Sequence, residues 1–284
     1  MRNLSNLFRI RIMNTVIERQ PQGSVKPAEL SDWLVSHGVA TVTTEECAHL
    51  LGVAMGELSQ RLTGSRAKTK IVSVARGLWA AVPAEYREAG APEPVRYVDG
   101  LMDFYGCSYC VGWLSAAALY GASHQAPQVF QVATERQIRD RQVGRSRLEF
   151  HARSYVRDLP KRRVSLSAGS VFAATPEATM LMVSADLLYS GGIDNAATVV
   201  AELADEADPD VEAILVCAPM FPDSAVCRLG WLLDHVAGMR GLEQMSSYCR
   251  ATGDPAMLSP YAGRSGPIDK EWNVIVNREV EADV

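Results

Sequence analysis

Residues 27–82 carry three short helical patterns followed by a β-hairpin pattern, and this order constrains the fold more strongly than any other feature of the chain. The first predicted helix begins at Pro27 and ends at Gly38, with apolar residues at the i, i+3, i+4 and i+7 positions. Those positions are Leu30, Trp33, Leu34 and His37. The pattern predicts one helix that buries a single face.

The next two predicted helices are joined by a short turn at Gly52. Thr43 and Glu46 have the spacing of a capping box, in which the threonine hydroxyl accepts from the third backbone N–H and the glutamate carboxylate accepts from the threonine N–H. The helix that follows, over residues 54–63, has apolar residues at four-residue spacing, so its polar residues face outward. Two short helices across a four-residue turn are therefore predicted.

A β-hairpin is predicted next, with strands at residues 71–74 and 78–82 and a tight turn at residues 75–77. A basic loop precedes it. Three helices followed by such a hairpin are the order of a winged helix-turn-helix, in which the third helix lies in the major groove of DNA.

The candidate DNA contacts are of two kinds. Short polar side chains on the third helix can meet base edges, and cations around the wing can neutralise phosphates. The candidates are Ser59, Gln60, Arg61, Thr63, Arg66, Lys68, Lys70 and Arg76. Each of them alone is more typical of a solvated helix face or an ordinary turn. Glu57 would repel phosphate, although it could accept from a cytosine amine. The DNA-binding interpretation depends on the ordered set.

Charge is divided unequally along the chain at about Ser165. Residues 1–165 hold 22 lysines and arginines against 15 acids, net +7, whereas residues 166–284 hold 6 against 18, net −12. This asymmetry favours a nucleic-acid-facing front half and an acidic back half. A second basic tract is consistent with an exposed sheet rim or with an auxiliary patch for nucleic acid or a partner. The candidate patch residues are Arg145, Arg147, Lys161, Arg162 and Arg163.

Cys107 and Cys110 form the one pattern that suggests metal or redox chemistry. A zinc site needs four ligands, and the sequence has no second Cys or His pair at ligand spacing. We therefore interpret both as buried thiols of a helix that continues to Gly121. Asp210 follows Pro209 and is expected to begin a helix rather than bind a metal. No catalytic motif is present, so we expect no enzyme activity, no metal and no cofactor.

The apolar stretches indicate neither membrane spanning nor secretion. None approaches the roughly 18 residues that a spanning helix needs. Arg9 and Arg11 interrupt the stretch where a signal peptide would be uniformly apolar. We expect a cytoplasmic protein whose six cysteines are reduced.

Prolines and glycines predict the domain organisation. Pro92 and Pro94 mark a linker after the winged helix. The predicted organisation is a basic N-terminal extension at 1–24, a winged helix-turn-helix at 25–86, and a larger mixed α/β C-terminal domain at 95–284, basic to about 165 and acidic and helical after it. The predicted fold class is α+β. A last strand, Trp272 to Val280, is expected to return to the sheet because its alternating apolar face needs burial.

Several motifs of the chain together resemble those of one known family. In the front domain they are Gly52-Val53 and the wing Val74-Ala-Arg-Gly-Leu-Trp79. In the second domain they are Trp113-Leu-Ser-Ala116 through Leu119-Tyr-Gly121 with Gln125-Ala-Pro-Gln128, then Gly191-Gly-Ile-Asp194, and finally Asp269-Lys-Glu-Trp-Asn273 with Ile275 and Asn277. In this order and spacing, over residues 25–281, the chain resembles the AbiEi family, the antitoxins and transcriptional regulators of type IV toxin-antitoxin systems.

The resemblance implies a non-enzymatic repressor of its own operon, paired with a nucleotidyltransferase-like toxin encoded beside it. The implied partners are double-stranded promoter DNA and that toxin, with direct contact left open, and a palindromic operator would call for a homodimer. The family gives no guidance on Cys107 and Cys110 or on the basic arm at residues 1–22. A rival interpretation is a toxin-neutralising module whose acidic back half binds a basic protein surface, with DNA binding secondary.

Overall fold

The chain has an α+β fold in a computed structural model that describes residues 16–62, 70–122 and 127–283. It divides into two compact units. The first contains residues up to 109 together with 136–150 and 165–171, and the second contains 110–135, 151–164 and the chain from 172 onward. Within the described residues, no helix combines the length and the hydropathy that crossing a bilayer requires.

The first unit begins with short helices and a small antiparallel sheet, and a longer helix follows them. In chain order its elements are α1 (Leu30–Ser36), β1 (Thr41–Thr43), α2 (Thr44–Leu51), α3 (Leu58–Leu62), β2 (Ile71–Ala75), β3 (Leu78–Ala81) and α4 (Pro94–Tyr105). One 3-10 turn, Met55–Glu57, leads directly into α3, and a second, Ala84–Tyr86, precedes α4. The sheet order is β1-β3-β2, with Val42 opposite Trp79.

The core of this unit explains why such short helices are stable. Leu30, Leu34, Leu50 and Leu58 are each no more than 1% exposed and belong to one buried cluster. Helices this short are marginal in water, and burial of an amphipathic face supplies most of their stability. Burying each leucine side chain contributes about 2 kcal/mol.

His37 does not occupy the buried position that the helical spacing predicted. The helix ends at Ser36, and the His37 side chain is exposed. Its Nδ1 lies 2.8 Å from the carbonyl oxygen of Trp33, and its ring stacks on the Trp33 ring at 4.0 Å. The prediction was wrong because His37 follows the last helical turn and no longer shares its inner face.

A six-stranded mixed sheet has the strand order β6-β7-β5-β4-β9-β8. Its strands are β4 (Tyr109–Val111), β5 (Val129–Thr134), β6 (Arg141–Val143), β7 (Ser146–Ala152), β8 (Lys161–Leu166) and β9 (Gly169–Ala174). β6 and β7 form an antiparallel hairpin, whereas β4 and β9 pair in parallel, with Val111 opposite Ala173.

Helices form most of the second unit. They are α5 (Trp113–Leu119), α6 (Pro176–Ala185), α7 (Ile193–Ala207), α8 (Val211–Cys217), α9 (Asp223–His235) and α10 (Glu243–Arg250). Helix α6 has eight buried residues out of ten and lies at the centre of the largest apolar cluster. The Asp210 side chain accepts from the backbone N–H of Glu212, so the predicted helix start at this aspartate is confirmed.

The C-terminal strand prediction was wrong in both length and destination. Only Val274–Ile275 is a strand, β12, and it pairs with β10 (Ala256–Met257) and β11 (Ile268–Asp269) in a separate sheet of order β10-β12-β11. Asn277 explains why the strand stops. Its side chain accepts from the Ser259 N–H at 3.0 Å and donates to the Ser259 carbonyl at 2.8 Å, where a strand would use its backbone.

The assignment of Cys107 and Cys110 to a helix was also wrong. Cys107 precedes β4 and Cys110 lies within it, while α5 begins only at Trp113. Gly112, with φ −136° and ψ −176°, keeps the chain extended up to that point. Both cysteines are buried, as expected. A short apolar run does not distinguish a buried strand from the start of a buried helix.

Candidate nucleic-acid interface

The outer face of α3 carries three of the predicted base-contacting residues. Leu58 and Leu62 are 1% and 5% exposed, so the two leucines anchor the helix from below. Ser59, Gln60 and Arg61 occupy the opposite face and are exposed. Because the two buried leucines are four residues apart, these three side chains face outward, as the sequence predicted.

The α2–α3 connection is fixed by hydrogen bonds at both ends of α2. At the start, the Thr43 hydroxyl accepts from the Glu46 N–H at 3.2 Å and the Glu46 carboxylate accepts from the Thr43 N–H at 2.8 Å, which confirms the capping box. At the end, Gly52 adopts a left-handed conformation with φ 65°. The Val53 N–H then donates to the Ala48 carbonyl at 3.1 Å, which closes the helix.

Gly52 is required for a second reason. A Cβ atom at this position would lie 2.7 Å from the Cα of Gly23. The turn between α2 and α3 therefore packs backbone against backbone, with no room for a side chain. Together with the capping box, this contact sets the direction in which α3 leaves α2.

The β2–β3 hairpin presents Arg76 at its turn, where the side chain is exposed. Gly77 follows with φ 94°, and its carbonyl accepts from the Thr44 N–H at 2.9 Å. The Trp79 indole N–H donates to the Thr44 hydroxyl at 3.1 Å. The hairpin turn is thus tied to the first residue of α2, which holds Arg76 in a fixed place relative to the helix pair.

The Lys70 side chain, a predicted phosphate contact, has two partners within the first unit. Its ammonium donates to the Ala28 carbonyl at 2.7 Å and to the Asp32 carboxylate at 3.0 Å. Arg87 binds the other oxygen of Asp32. The Lys70 hydrogen bond and the charges of Lys70 and Arg87 lower the pKa of Asp32 below its ordinary value, although burial opposes them. Thr63, Arg66 and Lys68 lie outside the described residues.

The first part of the predicted auxiliary patch lies on the β6–β7 hairpin. Arg145 is exposed in its turn, next to Gly144 with φ 58°. Arg147 is exposed on β7 and forms an ion pair with Glu149 at 2.8 Å. The hairpin therefore exposes one arginine at its tip and a second that is already paired.

The second part of the patch lies on β8, and each of its cations has an intramolecular contact. The Lys161 ammonium donates to the Val156 carbonyl at 2.7 Å. Arg162 lies 4.4 Å above the Tyr120 ring and donates to its hydroxyl at 3.2 Å. Arg163 lies 4.9 Å above the Phe172 ring. This part of the patch belongs to the second unit, whereas Arg145 and Arg147 belong to the first.

Burial makes metal binding unfavourable at Cys110. This thiol is fully buried, and burial raises its pKa to about 12, against a smaller opposing effect of Lys161. A metal binds the thiolate, so a raised pKa disfavours ligation. Among the residues that the structure describes, no cluster of three or more metal-ligating side chains is present.

The sequence did not indicate an aromatic cluster that the second unit builds around Trp113. The Trp113 indole N–H donates to the Asp186 carboxylate at 3.1 Å, and Arg153 donates to the same oxygen at 2.8 Å. The rings of His151 and Tyr189 stack at 3.9 Å, and both lie edge-on to Trp113. These residues come from three distant segments, so no local spacing could reveal them. The φ of Trp113, 48°, marks a strained backbone that this network stabilises.

Comparison with known proteins gives a family match over part of the chain and a likeness to a solved structure. Residues 110–235 match the family described as the AbiEi antitoxin C-terminal domain. The crystal structure of the RV2827C protein from Mycobacterium tuberculosis superimposes with a TM-score of 0.64 at 15% sequence identity, covering 90% of this chain and 94% of that chain. At this identity the likeness shows a shared fold alone. No curated protein matches the sequence.

Proposed function

We propose that the chain is the antitoxin of a toxin-antitoxin pair and a sequence-specific DNA-binding repressor of its own operon, since residues 110–235 match the AbiEi antitoxin C-terminal domain. The family match over residues 110–235 supports the antitoxin role. The DNA-binding role rests on the first unit, which lies outside the matched residues. The proposed partner is a nucleotidyltransferase-like toxin, and the proposed arrangement on a palindromic operator is a homodimer.

The observation that carries the DNA-binding proposal is the exposed face of α3 on a rigid support. Ser59, Gln60 and Arg61 are exposed, while the leucines on the inner side are buried. The chain order of helix, strand, two helices and hairpin is that of a winged helix, with α3 as the recognition helix and Arg76 in the wing. Polar side chains held on a fixed helix can read base edges, and a wing cation can contact phosphate.

The set of proposed DNA contacts differs from the sequence-based set at one residue. Lys70 binds Asp32 and the Ala28 carbonyl, so we assign it a structural role. Ser59, Gln60, Arg61 and Arg76 remain as proposed contacts, and Thr63, Arg66 and Lys68 remain proposed on sequence grounds. The exposed Arg145 is the strongest remaining member of the auxiliary patch, because Arg147 is paired with Glu149.

Operator binding by the full chain tests the proposal. Fluorescence anisotropy would compare DNA from upstream of its own reading frame with scrambled DNA of the same length, over a series of salt concentrations. Gln60→Ala should weaken discrimination between the two by about 1–3 kcal/mol without changing the salt dependence. Equal affinity of the unchanged protein for both DNAs would contradict sequence-specific repression.

Glu88→Gln provides the control for these measurements. Glu88 is exposed and is not among the proposed DNA contacts, so its substitution should alter neither affinity nor specificity. Should Gln60→Ala and Glu88→Gln behave alike, α3 would not be the reading element.

A second candidate function is direct neutralisation of the toxin by protein contact. The observation that favours it is the charge of residues 166–284, which hold 18 acids against 6 lysines and arginines. Such a surface attracts a basic partner and accelerates association. Co-expression with the neighbouring gene product followed by size-exclusion chromatography tests it. A complex that dissociates with rising salt supports direct neutralisation, and separate elution at low salt contradicts it.

A further inference from the structure

Cys227 and Cys249 form a pair of buried thiols in the second unit, and neither proposed function uses them. Cys227 lies one turn into α9, and Cys249 lies in the last turn of α10. The two residues are 1% and 0% exposed and belong to one apolar cluster. The Cys249 thiol donates to the Cys227 sulfur, so the two side chains are in contact although they lie on different helices.

The Thr252 hydroxyl holds the two cysteines together. Its oxygen lies 3.8 Å from the Cys227 sulfur, and the hydroxyl donates to the Cys249 carbonyl at 2.6 Å. The same oxygen accepts from the Asn273 amide at 3.0 Å, which fixes its position. Two sulfurs in hydrogen-bond contact are within reach of each other, and a disulfide needs a separation of about 2.05 Å between them.

The thiol pair lies close to the surface of the unit. Thr252, which contacts the Cys227 sulfur, is half-buried, and Gly253 next to it is exposed. On the other side of the pair, the Tyr248 hydroxyl donates to the exposed carboxylate of Asp223 at 2.5 Å and joins α10 to α9. A small neutral oxidant such as hydrogen peroxide therefore has a short path to the Cys227 sulfur.

The surroundings give the two thiols different acidities. The hydrogen bond from Cys249 lowers the pKa of Cys227 below its ordinary value, although burial opposes it. Thr252 and Arg228 act in the same direction as that hydrogen bond, and Asp223 acts in the opposite one. For Cys249, the hydrogen bond to Cys227 and burial both raise the pKa. The thiolate is the nucleophile in thiol oxidation, so Cys227 is the sulfur that reacts first.

We propose that Cys227 and Cys249 are an oxidation site, at which hydrogen peroxide produces a reversible disulfide between α9 and α10. The Cys227 thiolate attacks one peroxide oxygen and breaks the O–O bond, which gives a sulfenic acid and hydroxide. The Cys249 sulfur then attacks the Cys227 sulfur and displaces hydroxide, which leaves as water with the Cys249 proton. Two thiols and one peroxide thus give one disulfide and two water molecules. A dithiol reductant reverses the reaction by thiol–disulfide exchange.

Cys217 provides an internal control for this chemistry. It belongs to the same unit and is 1% exposed, as Cys227 is. Burial raises the pKa of Cys217 to about 11, and Glu177 adds to the effect. If burial alone decided reactivity, both thiols would be protected equally, whereas the proposal predicts that Cys227 reacts and Cys217 does not.

Peptide mass spectrometry of the reduced full chain tests the proposal without any substitution. The protein is treated with a small excess of hydrogen peroxide at pH 7 and then unfolded in urea with iodoacetamide, which blocks the remaining thiols. A peptide pair joined through Cys227 and Cys249 should accumulate at least about tenfold faster than any oxidised form of Cys217. Dithiothreitol added before the iodoacetamide should return both cysteines to the reduced, labelled form.

Two substitutions determine the order of the steps. Cys249→Ser removes the second nucleophile, so Cys227 should stop at the sulfenic acid, which dimedone traps. Cys227→Ser removes the first nucleophile, so Cys249 should stay reduced under the same treatment. Urea unfolding of both variants identifies a loss of folding, and the result on the unchanged protein does not depend on either of them.

Three results would overturn the proposal. They are the absence of the joined peptide pair, oxidation of Cys217 as fast as that of Cys227, and pairing of Cys227 with a cysteine other than Cys249. Oxidation of Cys249 in the folded Cys227→Ser variant would also contradict it, because Cys227 would then not be the first nucleophile. The inference is independent of the antitoxin and DNA-binding proposals, since neither of them assigns a role to this pair.

Discussion

The Lys70 ammonium lies 3.0 Å from the Asp32 carboxylate, although the two residues are 38 positions apart in the chain. Lys70 also donates to the Ala28 carbonyl, and Arg87 binds the second oxygen of Asp32. One carboxylate of α1 thus fixes the residue before β2 and the residue that follows the 3-10 turn Ala84–Tyr86. Lys70 and Asp32 thus connect α1 to the start of β2.

Lys70 and Arg76 should therefore differ in their effect on DNA binding. Arg76→Gln should reduce the slope of log affinity against log salt by about 0.9, the value for one lost phosphate contact. Lys70→Gln removes the same charge but should leave the slope unchanged. It should instead lower the free energy of unfolding by about 0.2–1 kcal/mol, because the ion pair is partly exposed. Anisotropy titrations and urea unfolding measure the two effects, and equal slope changes would return Lys70 to the DNA-contacting set.

Asp32 should make stability depend on pH in the acid range. The Lys70 hydrogen bond lowers its pKa below the ordinary value of 3.8 in the folded state, so folding favours the ionised carboxylate. The contribution of the ionised Asp32 to the free energy of unfolding is fully present above pH 3.8, the ordinary pKa. It is lost as the pH falls through the lower pKa of the folded state. Urea unfolding should show Asp32→Asn as less stable than the unchanged protein at pH 7, with a smaller difference at pH 3. A difference that stays constant or grows toward pH 3 would contradict the assignment.

The sequence predicted the parts of the first unit whose structure is set by residues close together in the chain. The capping box at Thr43 and the glycine turn at Gly52 are backbone devices with fixed residue requirements, and both are present where predicted. The hairpin strands 71–75 and 78–81 also lie close to the predicted bounds. The α+β class predicted from such ordered motifs is confirmed, and residues 110–235 match the family that the motifs resemble.

Contacts between distant segments account for what the sequence did not indicate. Nothing in the sequence near Lys70 points to its ion pair with Asp32, and the Trp113 cluster joins residues that are up to 76 positions apart. The C-terminal strand failed for the same reason, since the Asn277 side chain bonds to the backbone of Ser259. Periodicity predicts which face of an element is buried, whereas the partner of a polar side chain is set by the tertiary fold.

Gly52 and Gly38 form a matched pair for testing the α2–α3 turn. Both have a left-handed backbone, with φ 65° and φ 69°, but a Cβ atom meets the Gly23 backbone at 2.7 Å only at Gly52, while nothing lies within 4 Å at Gly38. Gly38→Ala should cost about 1 kcal/mol of stability from conformational strain alone. Gly52→Ala should lower the free energy of unfolding by more, because the backbones at Gly52 and Gly23 must also move apart. Thermal and urea unfolding of both variants measure this, and equal losses would show that the contact with Gly23 adjusts freely.

Cys110 should be chemically inert in the folded protein. Burial raises its pKa to about 12, so almost none of the thiol is ionised at pH 8, and the thiolate is the reactive form. Iodoacetamide should label Cys110 far more slowly in native protein than in protein unfolded in urea, as read by peptide mass spectrometry. Elemental analysis of protein purified without added metal should find no stoichiometric zinc or iron. One equivalent of either metal would contradict this prediction and show that the protein has a metal site.

Asp186 should stabilise the second unit mainly through the indole of Trp113. Its carboxylate accepts from the buried Trp113 N–H and from Arg153, and the Arg153–Asp186 ion pair is about a quarter exposed at each partner. Asp186→Asn keeps an acceptor for the indole and loses the ion pair, which should cost about 0.2–1 kcal/mol.

Asp186→Ala leaves the indole N–H without its acceptor and should cost about 1–3 kcal/mol more than the asparagine variant. Asp205→Ala on α7 is the control, since Asp205 is exposed and its replacement should change stability by less than about 0.5 kcal/mol. Urea unfolding of the three variants gives the comparison. Equal stability of the asparagine and alanine variants would mean that the strained φ of Trp113 is maintained by packing alone, without the hydrogen bond to Asp186.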